Sequence, residues 1–312
     1  MVDSVAGERE RAMTTPACWK QSSIGSPLEG RWKRSVLGDD SSSGPLGSDG
    51  HVLLLPASES ERRARVVEWV RRGLERSEKV IYAEFDAGSA QPWLSNALGE
   101  SGVDITAPGA RGRLVVLPPA EFYAPGEQVD VVERALGEGY PAVRVAAEVS
   151  TASGRLAEGT YQAYEREVEK LCRTRPVSAL CQYDRKATLG SQLAEAAAIH
   201  YDGVRDTLLQ TSATVNGVAL AGQVDASNAR LLDAALRVAA ASCAASLELD
   251  VAGLAFLDAA GCRVLLRVAD ELRARRARLV VVSPQPPVVR TLSVLELDRV
   301  PHIEVRERGP GP

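Results

Sequence analysis

The sequence predicts an α/β protein built as two units: a mostly parallel, doubly wound sheet, then a smaller αβ unit. Three observations carry this. From His51 onward, short runs of branched aliphatic residues alternate with amphipathic helical runs. An Asn216-Gly217 dipeptide between two β-type runs signals a two-residue hairpin. Hydrophobic residues make up 45% of the chain but aromatics only 4%, so its layers must pack through small and branched side chains. A chain of 312 residues has room for two cores.

Residues 1–49 are rich in Ser, Gly, Pro and charge, end in "DDSSSGPLGSDG", and are expected to be disordered because they cannot bury much apolar surface. "HVLLL" (51–55) reads as a buried strand. The helix after it places Val66, Val67, Val70 and Leu74 on one face, and Ser58 with Glu61 forms a capping box at its start. "KVIYAEF" and "RLVVLPP" read as strands around a short helix in "QPWLSNALGE". "VDVVERALGEG" reads as a helix closed by glycine, and "PAVRVAAEVS" as a strand. "TYQAYEREVEKLC" puts Tyr161, Tyr164, Val168 and Leu171 on one helical face before the buried strand "PVSALCQYD". A helix within 188–205 leads to the second unit: the hairpin, the helix "ASNARLLDAALRVAAAS", the strand "SLELD", a helix from Ala259, the strand "RLVVVSP", the helix "PPVVRTLSVLEL" and the strand "HIEV". The organisation expected is therefore 50–187, a connector at 188–205, 206–307 and a tail at 308–312.

The net charge of −4, with no long basic run, argues against a nucleic-acid partner. No apolar run approaches the roughly 20 residues that span a bilayer, and no secretion signal is evident, so a cytoplasmic protein is expected. Five cysteines at irregular spacing make neither a disulfide framework nor a zinc pattern. No cofactor and no metal are expected.

The first strand–turn–helix is where a nucleotide enzyme would carry a glycine-rich phosphate loop. Here the turn "PASESERR" has no glycine and no lysine, and Glu59 and Glu61 put negative charge where phosphates would sit. "HVLLLPASESERRARVVEWVRRGLERSEKVIYAEFD", "AAEVS", "YQAYEREVEKL" and "PVSALCQYDR" resemble the MEDS domain, a sensory module of methanogens and methylotrophs. That resemblance covers roughly residues 51–200 and implies a RecA-like or KaiC-like core with its phosphate loop eroded. It also implies the sensing of a small molecule through His51, Glu148, Tyr164, Glu165, Cys181, Tyr183 and Asp184. Thr151 departs from the family, which often has a tryptophan there. From the residues alone, His51 reads as a hydrogen-bonded structural histidine and Cys181 as a core residue, whereas Tyr183, Asp184 and Glu148 sit at strand ends where such sheets bind ligands.

"VALAGQVDASNARLLDAAL", "SLELDVAGLAFLDAAGCRVLLRVADELRARRARLVVVSP" and "PVVRTLSVLELDRVPHI" resemble a STAS domain, the αβ sandwich of anti-sigma factor antagonists and of sulfate-transporter tails. With no membrane segment before it, the antagonist type is expected. Such antagonists dock on an anti-sigma factor or serine kinase of the histidine-kinase-like ATPase type. They are released when that partner phosphorylates a serine just after the aspartate at this helix start. Here Asp258 is followed by Ala259, Ala260 and Gly261, so the turn has the shape of the switch and no hydroxyl. The resemblance implies a partner face of Gly222, Asp225, Asp258, Ala259, Ala260 and Gly261, and a non-enzymatic regulator, with a homodimer possible. The alternatives are a divergent RecA-like nucleotide-binding protein and a scaffold in which STAS units stack.

Overall fold

The computed structural model describes residues 49–84, 93–106, 110–124, 126–149, 160–201 and 203–307, with the backbone alone at 119, 120, 160 and 161. The expectations for the N-terminal segment before Asp49, for Thr151, for the side chain of Tyr161 and for the tail at 308–312 lie outside the described residues.

The first half contains strands β1 (His51–Leu55), β2 (Lys79–Ala83), β3 (Leu114–Leu117), β4 (Val143–Glu148) and β5 (Val177–Gln182). Its helices are α1 (Glu59–Glu75), α2 (Trp93–Glu100), α3 (Pro119–Phe122), α4 (Glu127–Gly137), α5 (Thr160–Thr174) and α6 (Gly190–Ile199). The second half follows with β6 (Val204–Asp206), β7 (Leu209–Thr214), β8 (Gly217–Val224), α7 (Ala229–Ser242), β9 (Ser246–Leu257), α8 (Ala259–Ala274), β10 (Arg278–Val282), α9 (Pro286–Val294) and β11 (Ile303–Arg306).

One sheet of eleven strands contains all of them, in the order β11-β10-β9-β8-β7-β6-β1-β5-β4-β2-β3. The pairs on either flank are parallel, as the alternation of strands and helices requires. The two flanks meet through β6, which runs parallel to β1 and antiparallel to β7, and through the antiparallel β7–β8 hairpin. The connector therefore contributes a helix and a strand of its own, and β6 is an element that periodicity did not announce.

Two local expectations change. The hairpin turn is Val215–Asn216, because Thr214 pairs with Gly217 inside the ladder. Gly217 is required by packing: a Cβ there would lie 2.0 Å from the Glu248 carbonyl oxygen. The strand read at "SLELD" runs on to Leu257, so β9 delivers the chain directly to the start of α8. At α1 the Ser58 side chain accepts from the Glu61 amide as expected, while the Glu61 carboxylate reaches back to the amide of Ala57.

Among the described residues, three apolar clusters sit against the sheet. One joins Ile81, Val143 and Val145 to Phe122, Val132, Val168 and Leu171 of the first half. A second fills the other half with Leu232, Leu249, Val264, Leu265 and Leu279. The third bridges them: Leu53, Leu55, Cys181 and Tyr183 pack on Leu193, Ala196 and Ala197 of α6, and α7 adds Leu231 and Ala234.

Candidate functional site

The first half buries a polar cluster beside β1. His51 opens that strand and is 3% exposed. Its Nδ1 lies 3.1 Å from Glu169 Oε2, and its Nε2 lies 3.2 Å from Glu165 Oε2 and 3.3 Å from Cys181 Sγ. Glu165 and Glu169 are four apart in α5, so one helical face presents both carboxylates. The Tyr183 hydroxyl donates to Glu165 Oε1 at 2.7 Å, and the Cys181 thiol donates to Glu165 Oε2 at 3.3 Å. His200, at the C-cap of α6, packs against His51 with ring centroids 3.8 Å apart and the planes tilted by 42°.

The electrostatics follow from this packing. Burial pushes His51 down, but the hydrogen bonds and charges of Glu165 and Glu169 outweigh it and raise its pKa to about 9. Burial would raise Glu165, yet its hydrogen bond to His51, the charge on the two histidines and the Tyr183 hydroxyl bring it down to about 2. Burial and the neighbouring cationic His51 together lower His200 to about 4. Burial and the Glu165 carboxylate push the Cys181 thiol well up, so without a cation it stays protonated. Tyr164 flanks the cluster: its ring meets Tyr123 edge-on at 6.0 Å, and both line a cavity of about 20 Å³ with Glu165 and Cys181.

Glu148 and Asp184 belong to a different place. They line a cleft of about 680 Å³ at the carboxyl ends of β1, β4 and β5, together with Ser58, Glu59, Arg62 and Arg185. Glu148 has the partner a half-buried carboxylate needs, Arg62, whose guanidinium also lies 3.9 Å over the Trp93 ring. Asp184 is exposed, and its side chain accepts from the Lys186 amide. In this cleft the Ala57 amide is taken by the chain's own Glu61 and the Glu61 amide by Ser58. A phosphate would have to displace a carboxylate, which agrees with the reading of an eroded loop.

The second half presents the start of α8. Asp258 Oδ1 accepts from the Ala260 amide at 2.7 Å and from the Gly261 amide at 2.9 Å. Ala259 is exposed, Asp258 half-buried and Ala260 buried. Gly222 and Gly261 are buried and offer no surface. Gly222 has φ +95°, and a Cβ on it would meet the Leu208 carbonyl oxygen at 2.0 Å; a Cβ on Gly261 would meet Leu257 and Val224 of its own core. Asp225 organises the neighbouring turn, accepting from the Ser227 amide and hydroxyl at 2.8 and 2.6 Å. Residues 50–201 match the MEDS family, described as the methanogen/methylotroph DcmR sensory domain, and residues 208–305 match a STAS family described as "Mlab, STAS domain". The chain joins a MEDS domain to a STAS domain.

Among solved structures the chain is similar to the anti-sigma factor antagonist SpoIIAA in its unphosphorylated form. The identity is 20%, the match covers 31% of this chain and 86% of that one, and the TM-score is 0.27. No curated protein matches the chain. No helix among the described residues is long and apolar enough to cross a membrane.

Of the expected sensing residues, the MEDS domain brings His51, Glu165, Cys181 and Tyr183 together with Tyr164 at their edge, and places Glu148 and Asp184 in the cleft. Sequence reasoning missed Glu169, His200 and Phe256. The i, i+4 spacing from Glu165 could have found Glu169, and the scarcity of histidine, three in the chain, was the one pointer to His200. Phe256, two residues before Asp258 at the end of β9, is 46% exposed, and the strand read at 246–250 stopped short of it.

Proposed function

We propose that the chain is a non-enzymatic cytoplasmic regulator. Its MEDS domain receives a signal, and its STAS domain docks on an anti-sigma factor or serine kinase of the histidine-kinase-like ATPase type, acting on transcription indirectly. The observation that carries this is the start of α8. Asp258 holds the turn in its capped form, the next residue is open to a partner, and that residue is an alanine. An exposed Phe256 and Ala255 beside it favour a protein over bulk water. A phosphate at this face would add about −1.5 to −2 charge units, and a chain with Ala259 cannot receive one there.

Control then falls to the MEDS domain. Helix α6, capped by His200, shares a core with Leu231 and Ala234 of α7, and α7 packs on α8. This contiguous packing supports a route from the buried cluster to the docking face. The test is a calorimetric titration of the full chain with purified anti-sigma kinases of the same organism. Binding is expected with one of them and should weaken by about tenfold or more in Phe256→Asp, as for a central apolar anchor. Binding indifferent to Phe256→Asp, or no binding to any such kinase, contradicts the proposal.

A further inference from the structure

The MEDS-domain cluster has a geometry that a purely structural polar core does not explain. His51 comes from β1, Glu165 from α5, Cys181 from β5 and His200 from the end of α6. Each offers one donor atom, all four residues are buried, and the four atoms lie within 4.8 Å of one another. Glu165 Oε2 is 3.2 Å from His51 Nε2, 3.3 Å from Cys181 Sγ and 3.6 Å from His200 Nε2, and His51 Nε2 is 3.3 Å from Cys181 Sγ. A tetrahedral ion with nitrogen and oxygen at about 2.0–2.2 Å and sulfur at about 2.3 Å requires donor–donor edges of roughly 3.3–3.7 Å. Four of the six edges of such a tetrahedron are already close to these lengths.

The outer contacts point the same way. His200 Nδ1 is 2.7 Å from the Ala196 carbonyl oxygen, which can only accept, so the proton sits on Nδ1 and the neutral ring leaves Nε2 bare. His51 Nδ1 is turned to the Glu169 carboxylate, and Glu165 is held through its other oxygen by Tyr183. Histidines that ligate metals are oriented in this way, the second nitrogen donating to a carboxylate or a carbonyl.

The deciding observation is His200 Nε2. Its side chain is fully buried, and the nitrogen has no hydrogen-bond partner among the described residues. It faces a carboxylate oxygen, lone pair toward lone pair. A proton shared by His51 and Glu165 satisfies those two and leaves His200 unmatched. A second proton on His200 would stack two cations 3.8 Å apart in the interior. A cation among the four donors satisfies all of them.

We propose that His51, Glu165, Cys181 and His200 form a tetrahedral site for a divalent metal ion of the zinc class. One thiolate, two imidazoles and one carboxylate suit zinc or cobalt better than magnesium or calcium, whose ligands are oxygens. Four protein ligands leave no open position, so the ion ties β1, β5, α5 and α6 together and does no chemistry of its own. The occupancy of this site would set how α6 is held against α7. The site itself stands independently of the proposed STAS partner.

The test uses the full chain, freed of metal by a chelator and then titrated with cobalt(II) and with zinc(II). About one equivalent of cobalt should bind. It should give the intense visible bands of a tetrahedral ion and a near-ultraviolet thiolate charge-transfer band, and zinc should bleach both. Cys181→Ser should lose the charge-transfer band, while Cys243→Ser should keep it. If Cys181→Ser does not fold, the wild-type spectrum decides. A folded chain that takes up no stoichiometric cobalt or zinc overturns the proposal. So does cobalt bound with a weak octahedral spectrum, or a charge-transfer band that survives in a folded Cys181→Ser.

Discussion

The two halves of the sheet are built on different interiors. In the STAS half the core is almost wholly aliphatic: its deeply buried polar side chains, Thr211 and Asn228, are uncharged and bonded to backbone groups, and the Asp258 cap sits at the rim. In the MEDS half, polar groups lie deep: the His51–Glu165–His200 cluster, and Arg144, fully buried with Nε 2.6 Å from Glu78 and Nη2 2.6 Å from Asp49. An aliphatic core responds to little except temperature and solvent, and so suits a frame that presents a fixed face. A core held by charge depends on what occupies it. The contrast fits the proposed division, in which the first half receives and the second presents.

The strongest way to break the contrast is to remove a charge from the polar interior. Arg144→Ala leaves Glu78 and Asp49 without their common partner and opens the space over Trp69. A loss of about 3–5 kcal/mol is expected in denaturant unfolding followed by Trp fluorescence. A loss under 1 kcal/mol would mean that this network is not holding the MEDS half together. The matching change in the other half is Leu249→Ala, fully buried in its aliphatic core, with an expected cost of about 2–5 kcal/mol.

Acidity should separate the halves next. For the metal-free chain the signs run in opposite directions. His51, raised from 6.5 to about 9, stabilises fully below pH 6.5, and that contribution is lost as the pH rises through 9. His200, lowered from 6.5 to about 4, contributes above pH 6.5, and the contribution fades as the pH falls toward 4. Glu165, lowered from 4.5 to about 2, keeps its share down to pH 4.5 and loses it as the pH falls through 2. Hydrogen exchange of β1 and β5 should therefore be slowest, relative to β9 and β10, near pH 6.5. A ratio that does not change with pH would contradict the difference between the two interiors.

The smallest expected effect is at the rim. Asp258→Ala removes a cap and should cost about 1 kcal/mol, read as a shift in the denaturant midpoint. Ala259→Ser, at an exposed position, should stay within about 0.5 kcal/mol of the wild type, which makes it a clean probe of function.

The same contrast governs what the sequence disclosed. Helices and strands carried by period were legible in both halves, as were the N-cap at Asp258 and the eroded phosphate turn. Features set by pairing across the sheet were not. Strand β6 is three residues long and exists because it lies beside β1. Gly217 looked like a turn residue and is needed for close approach to Glu248. The cluster was half legible: His51, Glu165, Cys181 and Tyr183 stood in quotable motifs. His200 lay in a segment read as a connector, and only the folding of α6 against β1 brings it in. Arg144 was visible as an arginine in an otherwise aliphatic strand, an anomaly that only its partners Glu78 and Asp49 explain.

The most direct test of the docking reading is the intact mass of wild type and Ala259→Ser, each incubated with the same anti-sigma serine kinase and ATP. Wild type should gain no phosphate, and Ala259→Ser should gain one, about 80 Da, on residue 259. A stoichiometric phosphate on the wild-type docking face, or an Ala259→Ser chain that the bound kinase leaves unmodified, would contradict the account.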